Sequence, residues 1–288
     1  GFACGPRDGR LVLWRAGVAH DLGAPDEMPL TVGGRARYNI ANLAAAALAA
    51  VGLGVEPTTV AAVFACFGAQ LADNPGRLMR FEHHGAQVLV DYAHNPDGLR
   101  GLLEVAHGLL GDGGRLGLVL GHAGNREDRD IERLAATAAG FRPSLVVLKE
   151  LDEYRRGRQP GEVPRILRRA LLHAGMADAA LREQATELEA AAEALHWARR
   201  GDVIVLPVHG LAARKAVVEF IPASFASVSS SLHRRCARCP PPRKAPRPQR
   251  TDQLHPARRI APAPGNVDLR SMGCAQAVSC TAPLGVNL

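Results

Sequence analysis

Val88-Leu-Val-Asp91-Tyr92-Ala93-His94-Asn95-Pro96-Asp97-Gly98 is the stretch that decides the fold. An apolar run stops at an acid, and Leu99, Leu102, Leu103, Ala106, Leu109 and Leu110 then recur at helical spacing. The first part reads as a buried parallel strand, the second as an amphipathic helix packed against it. Asn95 suits the N-cap, and Pro96 suits the first helical position, where the amide has no partner to lose. Asp91 and His94 then stand at the carboxyl end of a strand beside a helix N-terminus. Open α/β sheets bind ligands at that edge, and the helix dipole favours phosphate. Taken alone, the same residues also fit a plain strand–helix turn whose polar side chains only cap it.

Working outward, strands and helices alternate. Strands are expected at 87–92, 116–121, 145–150 and 202–208, with a weaker one at 182–186. Helices are expected at 97–110, 129–139, 162–174, 187–200 and 211–220. That alternation predicts a mainly parallel, three-layer α/β sheet with right-handed crossovers. Its first three strand ends carry Asp91 and His94, then Gly121 to Arg126, then Lys149 to Asp152. Upstream, residues 1–32 read as short strands and turns, and 39–51 and 57–67 as two helices, the second opened by Pro57.

Composition divides the chain at Pro222. Beyond it lie ten basic and two acidic residues, which leaves 25 basic and 26 acidic to residues 1–221. The net charge of +7 therefore belongs to the tail, and the sequence pI near 9.5 says nothing about the partners of the body. The tail holds ten of the twenty prolines and four of the six cysteines without a sustained hydrophobic period, so residues 222–288 are expected to be disordered. Cys236 and Cys239 lack a second pair at suitable spacing, so no metal site is assigned. Basic charge alone gives only salt-sensitive attachment, and no specific nucleic acid is expected. The longest apolar run, Leu43 to Val51, is nine residues, too short to span a bilayer. No signal segment is visible, and a cytoplasmic location is expected.

Several phrases occur in one order: Gly34-Arg-Ala-Arg-Tyr38-Asn39-Ile-Ala-Asn42, Asn74-Pro-Gly-Arg77, Asp91-Tyr-Ala-His94-Asn95-Pro96, and Gly121-His-Ala-Gly-Asn125-Arg126. Over residues 1–221 they resemble the end of the central domain, the hinge and the C-terminal domain of the Mur ligase family. Lys149-Glu-Leu-Asp152-Glu-Tyr-Arg-Arg156-Gly-Arg158, followed by Gly161-Glu162, resembles the cyanophycin synthetase branch.

The resemblance implies a Rossmann-like C-terminal domain at 76–221, preceded at 1–75 by a remnant of the ATP-binding central domain. It implies an ATP-dependent acid–amino-acid ligase that activates a carboxylate as an acyl phosphate. Asn39, Arg77, Asp91 and Asn95 would bind nucleotide, and Asp91, His94 and Arg126 would serve catalysis. Lys149, Asp152, Arg156 and Arg158 would place the amino-acid or peptide substrate. ATP and Mg2+ are the implied cofactors; a homo-oligomer stays open. One departure bears on activity. The family's phosphate-binding loop reads G-x-x-x-x-G-K-[ST], whereas Lys149, Lys215 and Lys244 follow Leu, Arg and Arg. The Mg2+ ligands would likewise lie mostly outside this sequence. The expectation is a ligase portion inactive without further N-terminal domains, supplied in cis or in trans. The alternative is a non-catalytic nucleotide- or peptide-binding module.

Overall fold

The computed structural model describes residues 1–221; the expectations for the tail, its cysteines included, lie outside the described residues. Three short strands, β1 (Phe2–Arg7), β2 (Arg10–Arg15) and β3 (Val18–Asp21), form an antiparallel meander. Leu11 and Leu13 of β2 point inward against Leu43, Ala47 and Val51 of α1 (Arg37–Gly52) and against Val60 and Phe64 of α2 (Pro57–Phe64). Burial of these large side chains, at about 1.5–3 kcal/mol each, holds this small cluster together.

The larger sheet has six strands in the order β4 (Met79–His83), β5 (Ala86–Asp91), β9 (Val203–Pro207), β6 (Leu116–Leu120), β7 (Leu145–Lys149) and β8 (Leu181–Gln184). All neighbours are parallel except β4, which pairs antiparallel with β5. Helices α3 (Pro96–Leu109), α4 (Asp128–Gly140) and α5 (Glu162–His173) cover one face; α6 (Glu187–Trp197) and α7 (Leu211–Phe220) cover the other. The period of two along each strand sorts the core. Leu118, Leu148 and Val205 face α3–α5, while Val119, Val147 and Ile204 face α6 and α7. Burial on both faces is why these strands read as unbroken apolar runs. No helix among the described residues is long and apolar enough to cross a membrane.

The expected order of elements is present from β5 onward. The sequence reading omitted β4, an edge strand whose Met79 and Phe81 face the core while Arg80 is half-buried, an alternation too short to stand out. The helix expected to reach 200 stops at Trp197, because Arg199 and Asp202 turn the chain into β9: the Arg199 and Asp202 amides, respectively, bond the Asp202 carboxylate and the Arg199 carbonyl. The N-terminal elements dock on α3. Tyr38 lies over Gly101, where a Cβ would come within 2.8 Å of its ring, and Arg35 Nε donates to the Gly108 carbonyl at 2.8 Å.

One ion pair closes the end of the sheet away from the strand carboxyl termini. The Asp202 side chain, 3% exposed, accepts from Arg115 Nη2 at 2.6 Å and from the backbone amides of Arg115 and Arg199, each at 2.9 Å. The same guanidinium lies 3.8 Å above the Trp197 ring. Burial pushes the Asp202 carboxyl up, but these donors outweigh it and hold it below its ordinary value of 3.8. A lowered carboxylate stabilises the fold above its unfolded pKa and loses that contribution as pH falls through it. Asp202→Asn is therefore expected to cost ~2 kcal/mol at pH 7, with the gap to wild type closing as pH is lowered through 3.8 toward the native value. Urea unfolding of both proteins across pH checks this, and a gap that does not change with pH contradicts it.

Candidate functional site

The chain leaves β5 and β6 toward the α3–α5 face and leaves β9 toward the α6–α7 face, so neighbouring connections diverge at the carboxyl edge. Divergence of this kind opens a crevice in a parallel sheet. A cleft of roughly 230 Å³ lies there, lined by side chains that follow four strands. Tyr92 and His94 follow β5, His122, Asn125 and Arg126 follow β6, Tyr154 and Arg156 follow β7, and His209 follows β9.

His94, Arg126 and Arg156 of the expected site are brought together in this cleft. His94 Nδ1 lies 3.3 Å from the Tyr92 carbonyl, which only a ring N–H can satisfy. Arg126 and Arg156 are exposed, and Arg156 holds a left-handed backbone with φ of 52°. Arg77 is also exposed and stands outside the cleft lining, its guanidinium 5.0 Å from the Tyr92 ring. Arg214 lies 5.3 Å from the same ring.

The remaining expected residues are committed elsewhere. Lys149 requires the plainest correction. Its side chain is fully buried, and Nζ contacts Glu187 Oε1, the Pro207 carbonyl and His209 Nδ1, so it does not face a substrate. Arg158 binds the carbonyls of Gly124 and Arg126 at 2.9 and 2.7 Å and pairs with Asp128 and Glu162, which shapes the cleft loops from behind. Asp152 is outside the cleft and pairs with Arg155 at 3.4 Å. Asn95 caps α3 through Gly98 N at 2.7 Å, as its place in the sequence suggests. Asn39 is buried, with Nδ2 donating to the Leu30 carbonyl at 2.8 Å. Asp91 is 8% exposed, and its two oxygens accept from Leu78 N at 2.6 Å and Ala93 N at 2.7 Å. Burial raises its carboxyl above the ordinary value, with those amides and Arg77 opposing.

Among the cleft residues that were not in the expected set, beside Tyr92, Asn125 and Tyr154, are His122 and His209. Both follow a parallel strand almost directly, two residues after β6 and β9, and that position was the available signal. Both are buried, and burial holds both imidazoles below their ordinary pKa, as neutral rings.

A mostly parallel sheet with a polar cleft at its topological switch point defines a Rossmann-like α/β domain. Residues 76–207 match the model of the family described as Mur ligase, glutamate ligase domain. Over 208 residues the chain is 32% identical to cyanophycin synthetase of Nostoc sp., covering 72% of this chain and 22% of that protein. It is also 32% identical over 192 residues to UDP-N-acetylmuramoyl-L-alanyl-D-glutamate–2,6-diaminopimelate ligase of Corynebacterium efficiens, covering 64% of this chain and 34% of the relative. The chain thus spans about a fifth of the length of that cyanophycin synthetase. Among solved structures, the fold is shared with E. coli FolC in complex with DHPP and ADP, at a TM-score of 0.52 and 20% identity, over 76% of this chain and 45% of that one.

The two loops facing each other across the cleft touch at Gly124. Its amide donates to the Tyr154 carbonyl at 2.8 Å, and a Cβ there would run into the Arg155 backbone carbonyl. Gly124→Ala is expected to cost ~1–3 kcal/mol, the usual range for overpacking. Gly140→Ala, with nothing within 4 Å of the added Cβ, is expected to be neutral or slightly stabilising. Urea unfolding midpoints check the pair, and a harmless Gly124→Ala contradicts the packing argument.

Proposed function

We propose that this chain is part of an ATP-dependent, amide-bond-forming ligase resembling cyanophycin synthetase, acting on an amino-acid or peptide substrate through an acyl phosphate. The observation that carries this reading is the convergence of His94, Arg126 and Arg156 in one cleft, all within the residues of the Mur ligase domain. Residues 1–75 are assigned to the ATP-binding central domain and 76–221 to the C-terminal domain, with Asn74 to Arg77 as the hinge. The carboxylate of Asp91 supports that hinge by fixing Leu78, whose φ of 47° is a strained backbone.

ATP, when bound, supplies the phosphoryl group that activates the carboxylate. Of the four residues expected to meet it, Arg77 fits, because its guanidinium is exposed beside the Tyr92 ring, with no side-chain hydrogen bond committing it elsewhere among the described residues. Asn39, Asp91 and Asn95 hold their own backbone instead. Among the described residues no group of three His, Cys, Asp or Glu side chains is placed to hold a metal ion, so no step is assigned here to Mg2+. The residues of the cleft have distinct tasks. Arg126 and Arg156 offer positive charge to an anionic group in a partly desolvated space, where it counts for more than in water. His94 Nδ1–H donates a hydrogen bond to the Tyr92 carbonyl, which leaves the Nε2 lone pair free to accept a proton from the incoming amine.

Phosphate release with amino-acid and peptide acceptors tests the reading. The 288-residue chain alone is expected to give no turnover, for lack of a phosphate-binding lysine, and addition of the central-domain portion of a cyanophycin synthetase, fused or separate, should restore it. In that assembly Arg126→Ala and Arg77→Ala should lower kcat/KM by roughly tenfold or more, while His173→Ala on the exposed side of α5 should not. Turnover by the chain alone contradicts the incomplete-ligase reading. Nucleotide binding without turnover in every assembly supports the non-catalytic module instead.

A further inference from the structure

The buried polar group behind the cleft is the least expected feature of this fold. Lys149 Nζ, at the end of β7, meets Glu187 Oε1 at the start of α6, the carbonyl of Pro207 at the end of β9, and His209 Nδ1 at 3.3 Å. An ammonium has three protons, and each has an acceptor here. Glu187 in turn accepts the amides of His209 at 2.8 Å and Gly210 at 2.7 Å. On the far side of the imidazole, His209 Nε2 lies 3.2 Å from the Ala93 carbonyl. A carbonyl accepts only, so Nε2 carries the proton and Nδ1 keeps the lone pair that Lys149 meets. The two contacts together permit one neutral tautomer.

We infer that Lys149 and Glu187 are positioning residues, which lock His209 as the Nε2–H tautomer and through it hold the Ala93–His94 turn that forms one wall of the cleft. Ala93 packs in the core, and the Val208 amide holds the Asp91 carbonyl two residues back. The Ala93 amide bonds Asp91 in the same strand end, so among the described residues the hydrogen bond that crosses the sheet to Ala93 itself comes from His209, which reaches over from β9 to the Ala93 carbonyl. The groups facing the imidazole agree with a neutral ring. Lys149 stands at Nδ1 and opposes a charge there, His122 is a neighbour whose own pKa is lowered by burial and by this ring, and the Tyr92 ring packs at 5.6 Å. Glu187 is 3.5 Å from Nδ1 and would favour a proton on it, but Lys149 is nearer and its own proton already serves that carboxylate. Arg214 is engaged with the His209 backbone carbonyl at 3.3 Å, away from the ring. That the wall matters to an amide-forming reaction rests on the ligase reading above. The hold on the turn does not, and it is measured without any substrate.

The test uses the 288-residue chain with 15N-labelled histidine. Long-range 1H–15N spectra should show His209 as the neutral Nε2–H tautomer from pH 5.5 to 8.5. In Lys149→Met the same ring should populate the Nδ1–H form, and hydrogen exchange in a peptide covering 92–98 should quicken about fivefold or more, the effect of one lost hydrogen bond. Because Lys149→Met leaves Glu187 unpaired and can unfold the sheet, His209→Ala serves as a second variant that keeps the ion pair intact. It should quicken exchange in 92–98 but not in β6 or β7, and His209→Gln, whose amide can still reach Ala93, should restore the slower rate. A doubly protonated or Nδ1–H ring in the wild type overturns the inference. So does unchanged exchange in His209→Ala.

Discussion

A single ammonium group, that of Lys149, organises the carboxyl edge of the sheet. It ends the strand next to β6 and joins α6, β9 and the loop into α7 at one point. A buried pair of this kind contributes little net stability, because removing both charges from water costs about as much as their attraction returns. Breaking it is another matter, since a lone charge would remain in the core. Lys149 keeps its proton through Glu187, against burial that holds its pKa below the ordinary value, while Glu187 lies well below the usual carboxylate range. The position of Glu187 in the first turn of α6 adds the favourable end of the helix dipole. The neighbouring strand accommodates the lysine at Gly121, where a Cβ would come within 2.7 Å of Lys149 Cγ. Glycine there is a packing requirement, since its backbone φ is not left-handed.

This arrangement separates the charges that shape the cleft from those that face it. Residues 1–221 carry 25 basic and 26 acidic side chains, so no general field draws anions to the body. The attraction is local instead. Arg126 and Arg156 line the cleft, and the N-termini of α3 and α7 begin at Asn95 and Gly210, just after strands whose ends build its walls. Three acidic residues of the same region pair with arginines that do not line the cleft: Asp128 and Glu162 hold Arg158, and Asp152 holds Arg155. The loops are thereby cross-linked without neutralising the two arginines that remain open.

How much of this was legible in the sequence depends on distance along the chain. Asn95 as a cap and Pro96 as the first helical residue are local facts, set by neighbours within three positions, and both are present. The strands of the core were equally plain, because burial on both faces leaves an unbroken apolar run. Lys149 was misread for the opposite reason. A lysine ending a strand beside Glu150 and Asp152 looks solvent-facing, and the carboxylate that buries it lies 38 residues downstream. His209 bonds a carbonyl 116 residues upstream. No local pattern announces a partner at that separation. Asn39 shows the same limit at shorter range, since its amide turns back nine residues to Leu30.

Asp91 shows how the segment leading into β4 and the cleft wall come to share one support. Leu78, which follows Arg77, has a left-handed backbone that costs on the order of 1 kcal/mol in a non-glycine residue. Its amide is held by the carboxylate that also holds Ala93, so the strain is offset at the base of the cleft wall. Tyr92 lies between these two bonds, with Arg77 near its ring from the hinge and Arg214 near it from α7. Arg77 thus contacts a ring that lines the cleft, while Asp91 ties Leu78 to the end of β5. The Arg77–Leu78 segment is thereby tied to the cleft wall through this one turn, alongside the separate contacts that Tyr38 and Arg35 make with α3.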